Sequence, residues 1–205
     1  MDDARLLAAA GLVAALREAE AGGGNLIAAL VGDDPFVAFR HYPEEDAWDE
    51  ASRAQFYFHA HDSGTRAAEA GHIHCFHRPG GRHSAAAPHH LVAIVLDATG
   101  RPAGLFTTNR WVTEEVFLPA PAARAVAARY APSGGDVASR VVAGVFGLYR
   151  GEIMQLLTER DAALAERRRL RPDADPLEDQ ELEILSHRVI DLEATLSDLR
   201  RGLPE

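Results

Sequence analysis

Apolar positions in the first thirty residues recur at helical spacing: Leu6, Leu7, Leu12, Val13 and Leu16, then Leu26, Ile27 and Leu30. Gly22-Gly23-Gly24 separates the two groups. A glycine inside a helix costs roughly 1 kcal/mol, so two helices are expected between Asp2 and about Val31. Residues 32–54 show no clear period; Asp33-Asp34-Pro35 starts a turn, and Pro43 stops any helix running through His41-Tyr42. From Gln55 the period changes to two. Gln55 to His61 and Gly71 to His77 alternate and are rich in aromatics, which predicts two strands. His90 to Asp97 is a continuous apolar run, the pattern of a strand covered on both faces. The turn Asp97-Ala-Thr-Gly-Arg101 leads to a fourth strand over Pro102 to Thr108, and a fifth is expected over Trp111 to Leu118. Connections this short make the sheet antiparallel.

Beyond Leu118 the pattern is helical again. A short helix is expected over Pro119 to Ala131. A long one, capped by Asp136, should run to about Leu170, where Arg171-Pro-Asp-Ala-Asp-Pro176 stops it. Leu182, Leu185, Val189, Leu192, Leu196 and Leu199 alternate spacings of three and four, a heptad seam on a last helix from Leu177 to Arg201 with Gly202 after it. The expected fold is α+β: a small antiparallel sheet or partial barrel near 53–118, flanked by an N-terminal helical segment and a C-terminal helical hairpin. Residues 1–135 form the domain that holds the sheet. Residues 136–205 form the hairpin, packed on that domain or used to make a homodimer.

Charge narrows the choice of partners. The 205 residues carry 21 basic and 31 acidic side chains, a formal charge of −10, and every basic residue is Arg, scattered rather than in a stripe. Neutralising phosphates needs a basic face, so nucleic acid and anionic membranes are excluded as partners. The length suffices for a core without disulfides, and the lone Cys75 fits a reducing compartment. The opening Met1-Asp2-Asp3 has the wrong charge for a signal peptide, and no apolar run approaches the ~20 residues of a membrane helix. A cytoplasmic location follows as the expectation.

The chemistry lies in ten histidines, eight of them between His59 and His90. His59-Ala-His61 and His72-Ile-His74 are two His-x-His pairs on neighbouring predicted strands, and residues two apart face the same side. A symmetric hairpin about residues 62–70 would oppose His61 to His72 and His59 to His74, gathering four imidazoles. Neutral imidazole is the commonest ligand of divalent transition metals, and zinc or iron suits a nitrogen-rich site. His59, His61, His72 and His74 are therefore the candidate ligands. A solvated sheet face and metal-free acid–base work by a histidine pair are the competing readings. Cys75 alternates away from the patch and should be core, while His77 is out of phase and only one of His89 and His90 can join. Glu69 could reach the patch as ligand or base, or be a solvated loop acid. Arg110 could orient a small anionic substrate or pair with Glu114 or Glu115, and Tyr57 could hydrogen-bond to the site.

Phe56-Tyr-Phe-His-Ala-His61, Gly71-His-Ile-His74 and Leu105-Phe-Thr-Thr-Asn-Arg-Trp-Val-Thr113 resemble a bacterial family described only as a domain of unknown function. The similarity extends into Leu156 to Asp161 and Leu182 to Ser186, so it covers most of the chain and implies one full-length unit. It brings no activity with it. The residues themselves point to a metal-binding protein, a metal-dependent enzyme acting on a small molecule. The alternatives are a metal-carrying or adaptor module dimerising through its last helices, and a metal-free binder of a small molecule.

Overall fold

The computed structural model describes residues 3–33, 35–61 and 69–202. Helices α1 (Asp3–Ala21) and α2 (Leu26–Val31) precede strands β1 (Tyr42–Asp49), β2 (Ala54–His59), β3 (Gly71–His77), β4 (His89–Leu96) and β5 (Pro102–Thr108). Helices α3 (Arg110–Thr113), α4 (Ala120–Ala127), α5 (Val137–Leu148) and α6 (Arg150–Leu170) follow, then β6 (Ile184–Val189) and α7 (Leu192–Arg201). The six strands make one open antiparallel sheet in the order β1-β2-β3-β4-β5-β6. The class is α+β, as the two periodicities implied. No helix among the described residues is long and apolar enough to cross a membrane.

One face of the sheet is the core. Phe56, Phe58, Ile73, Cys75, Val92, Ile94, Leu96 and Leu105 are essentially inaccessible and pack with Val141, Val142, Val145, Ile153, Leu156 and Leu157 of α5 and α6. Cys75 lies there, as its phase required. Helix α1 crosses α5 at Gly144 and Gly147, where an added Cβ would come within 2.7 Å of the Leu12 Cβ and 2.5 Å of the Ala8 Cβ. Glycine is what lets these two backbones approach so closely.

Four elements differ from the sequence pattern. β1 was not foreseen because its alternation is broken: the register jumps from Tyr42–Phe58 to Ala47–Phe56, and Asp46 within that bulge takes a left-handed φ of 54°. Residues 111–118 form no strand; the buried Asn109 caps α3 by accepting from the Arg110 amide, and the Val116 amide then donates to the Pro88 carbonyl at 3.0 Å. The long helix bends at Tyr149 into α5 and α6, between Gly147 and Gly151, which weaken helix propensity there. The largest correction concerns the C-terminal hairpin. Residues 184–189 are not helical but add β6 beside β5, with Ser186 hydrogen-bonded to Thr107 at 2.7 Å and to the Leu156 carbonyl at 2.9 Å. Asp191 then caps a short α7. No heptad seam forms: Leu185, Leu192 and Leu199 are buried in the chain's own structure, and Val189 is 82% exposed.

Candidate metal centre

The second face of the sheet carries the histidines. His59 pairs with His72 and Tyr57 with His74, so the hairpin is shifted by two residues from the symmetric register, which keeps the same face. His61 consequently lies beyond the end of β2; the hairpin residues 62–68 fall outside those described. Gly71 makes the close entry to β3: its φ is +148°, and a Cβ there would meet the Phe58 ring at 2.5 Å and the His59 carbonyl at 2.7 Å. Alternation then aims His72, His74 and Phe76 to the same side as Tyr57 and His59.

The shift does not disperse the cluster. One ring nitrogen from each of His59, His61 and His72 lies within 4.8 Å of the other two, an arrangement compatible with metal binding. The His61 ring stands 5.2 Å from that of His59 and 5.3 Å from that of His72, centre to centre. Behind them the network is continuous. His72 Nδ1 bonds to the Glu69 carboxylate, and its Nε2 stands 2.8 Å from His59 Nε2 and 3.1 Å from His74 Nε2. His74 Nδ1 lies 3.1 Å from His90 Nε2, and His90 Nδ1 lies 3.2 Å from the Thr108 hydroxyl. The structure thus selects His90 over His89; the latter bonds to the Val116 carbonyl.

Hydrogen-bond polarity determines what this cluster can accept. An ionised Glu69 only accepts, so His72 Nδ1 carries the hydrogen and His72 Nε2 presents a lone pair. That lone pair takes one hydrogen, yet two ring nitrogens converge on it. A shared metal cation would resolve the excess. Two nitrogens on one tetrahedral metal would sit about 3.3 Å apart, so His59 and His72, now 2.8 Å apart, would have to separate slightly to share one. The Glu69–His72 contact also matches the carboxylate–histidine pair that orients metal ligands. Burial, then the imidazoles of His72, His61 and His41, pull the His59 pKa down to about 3, against the raising effect of Glu69. Burial, then His72 and His90, hold His74 well below its ordinary value; burial, then Arg160 and His72, pull His90 down to about 3. These rings are neutral at pH 7, the form that ligates.

A second chain approaches from β1, and nothing in the sequence pattern singled it out. Arg78 Nε donates to Gln55 Oε1 at 2.8 Å; Gln55 Nε2 donates to Asp46 Oδ2 at 2.5 Å; Asp46 Oδ1 is 3.0 Å from His41 Nδ1. A guanidinium cannot accept, so the polarity is set from Arg78 onward. His41 Nδ1 therefore carries the hydrogen in this contact. The His41 ring lies flat on Tyr57, 3.5 Å between centres, and 6.1 Å from His59. These residues went unnoticed because the bulge that carries Asp46 also hides β1.

The other sequence candidates are distributed as follows. Tyr57 is buried within the cluster, 5.6 Å from His59 and 5.4 Å from His74 between ring centres; burial, and then Asp46, push its hydroxyl pKa up. Arg110 is committed elsewhere, its guanidinium bonded to Glu178 at 2.6 and 2.9 Å and to Asp175 at 3.4 Å. Glu115 is buried and accepts from the His90 amide. Burial pushes its pKa up to about 8, against the pull of Arg160. The Arg160 side chain is itself buried, with Nε and Nη2 on Asp161 and Nη1 without a partner among the described residues.

With this geometry in hand, the comparisons with known proteins place the chain. Residues 6–190 match a family described as a domain of unknown function, DUF6969, and the chain belongs to that family. No curated protein and no solved structure matches the chain.

Proposed function

We propose that this DUF6969 protein holds a divalent transition metal, zinc or iron, through His59, His61 and His72, and uses it to act on a small molecule. The observation that carries the reading is that one ring nitrogen from each of three histidines lies within 4.8 Å of the other two, with Glu69 orienting His72. Three nitrogen donors leave a coordination position for water or substrate, and a metal there lowers the pKa of bound water or polarises a bound oxygen. His41, held by Asp46, adds an oriented imidazole beside the triad. Arg110 has no part in this version of the site, because its guanidinium already serves Glu178 and Asp175.

A carrier function is the second reading, and His74 favours it. Its Nε2 lies 3.1 Å from that of His72, so a fourth nitrogen is close enough to saturate the metal. Cobalt(II) titration separates the two. One equivalent should bind in wild type and be lost in His72→Ala, and azide should shift the visible bands if a position is open. Bands indifferent to azide would favour the carrier. Failure to bind cobalt, zinc or iron would overturn both.

A further inference from the structure

The loop before β1 presents three large apolar side chains to solvent within four residues: Phe36, Val37 and Phe39 are 50%, 51% and 56% exposed. Single exposed apolar residues are ordinary, but this loop is built to hold its position. The Val37 amide donates to the Tyr42 hydroxyl at 2.7 Å, and that hydroxyl donates to the Pro35 carbonyl at 3.1 Å. Phe36 stacks on the Tyr42 ring at 5.8 Å. The Phe39 amide donates to the Ala60 carbonyl at 2.9 Å, tying the loop to the backbone between His59 and His61. Phe39 itself takes a left-handed φ of 64°, which costs a bulky residue on the order of 1 kcal/mol or more. In that conformation its ring meets the His61 ring edge-on at 5.0 Å. A strained, solvent-facing aromatic held against a candidate metal ligand does nothing for the core.

We infer that Phe39, with its loop neighbours, is an apolar subsite of the metal centre. Its occupant is the hydrocarbon part of a small amphipathic ligand whose polar donor group takes the open coordination position. The inference rests on the three-histidine metal centre proposed above.

Zinc-loaded protein titrated calorimetrically with acetohydroxamate and hexanohydroxamate tests it, since the two share a chelating head and differ only in alkyl length. Each fully buried methylene adds about fourfold in affinity, so hexanohydroxamate should bind wild type at least tenfold more tightly. Phe39→Gly, which suits the left-handed backbone, should cut that ratio to about threefold or less in protein that still carries zinc. Zinc bound with equal affinities for the two hydroxamates, or with neither binding, overturns the subsite while sparing the metal centre. A ratio unaffected by Phe39→Gly overturns it as well, as does a Phe39-dependent dimer whose hydroxamate affinities ignore chain length. Absence of zinc binding overturns the metal centre and the subsite together.

Discussion

Acidifying protein stripped of metal by a chelator, from pH ~7.5 to ~5.5, probes the neutral histidines directly. A histidine whose folded pKa lies below its ordinary 6.5 leaves stability intact above 6.5 and erodes it as the pH falls toward the folded value, because only the unfolded chain takes up the proton. His59 and His90 at about 3, with His74 also far below its ordinary value, each lose about 1 to 2 kcal/mol over this interval, about 4 kcal/mol together. Glu115 acts in the opposite sense. With its pKa pushed up to about 8, it binds a proton in the folded state well before an unfolded glutamate near 4.5 does, which offsets about 2 to 3 kcal/mol. The net loss is about 1 to 2 kcal/mol, a fall in Tm of roughly 3–6 °C for a chain of this size. Glu115→Gln removes the offset, so its Tm should fall by roughly 8–16 °C over the same interval. Thermal melts followed by circular dichroism at constant ionic strength measure both slopes. Parallel slopes for wild type and Glu115→Gln would refute the assignment to Glu115. A Tm that does not fall in the Glu115→Gln protein would refute the buried neutral histidines.

Two further predictions concern the ligand support and the scaffold. Glu69→Ala removes the acceptor that holds the His72 tautomer and should weaken zinc binding about ten- to a hundredfold, read by competition with a chromophoric chelator; a change under twofold would count against the carboxylate–histidine pair. Gly144→Val forces a side chain into Leu12 at the α1–α5 crossing and should cost about 1–3 kcal/mol in denaturant unfolding. Gly11→Ala in α1 meets no heavy atom within 4 Å and should instead stabilise by about 0.5–1 kcal/mol, so equal effects of the two glycine replacements would contradict the packing described.

The readable parts of the chain were those whose local pattern agrees with their tertiary setting. β2 to β5 alternate or run apolar with their burial, and that sufficed to bring His59, His72 and His74 to one face, with His61 just past the strand end. The hairpin register was not readable, because a long connection does not determine it; the pairing of His59 with His72 comes from the folded sheet. β1 escaped because a bulge with a left-handed Asp46 breaks its alternation, and His41 and Asp46 were lost with it. At the C-terminus, leucines spaced three and four apart satisfied a heptad across a strand, a cap and a short helix. Asp191, an N-cap residue type before Leu192, was the local signal that a helix starts there and does not pass through. The Arg110 ion pairs join residues more than sixty positions apart, which no spacing along the chain encodes.

The central claim is that His59, His61 and His72 hold a metal, and elemental analysis by plasma mass spectrometry tests it most directly. Untagged, freshly purified wild type should carry close to one transition metal per chain, and a His59→Ala/His72→Ala double variant that keeps its fold should carry none. Wild type without metal, even after reconstitution with zinc, iron, copper or manganese, would contradict the claim. So would a double variant that retains the wild-type content.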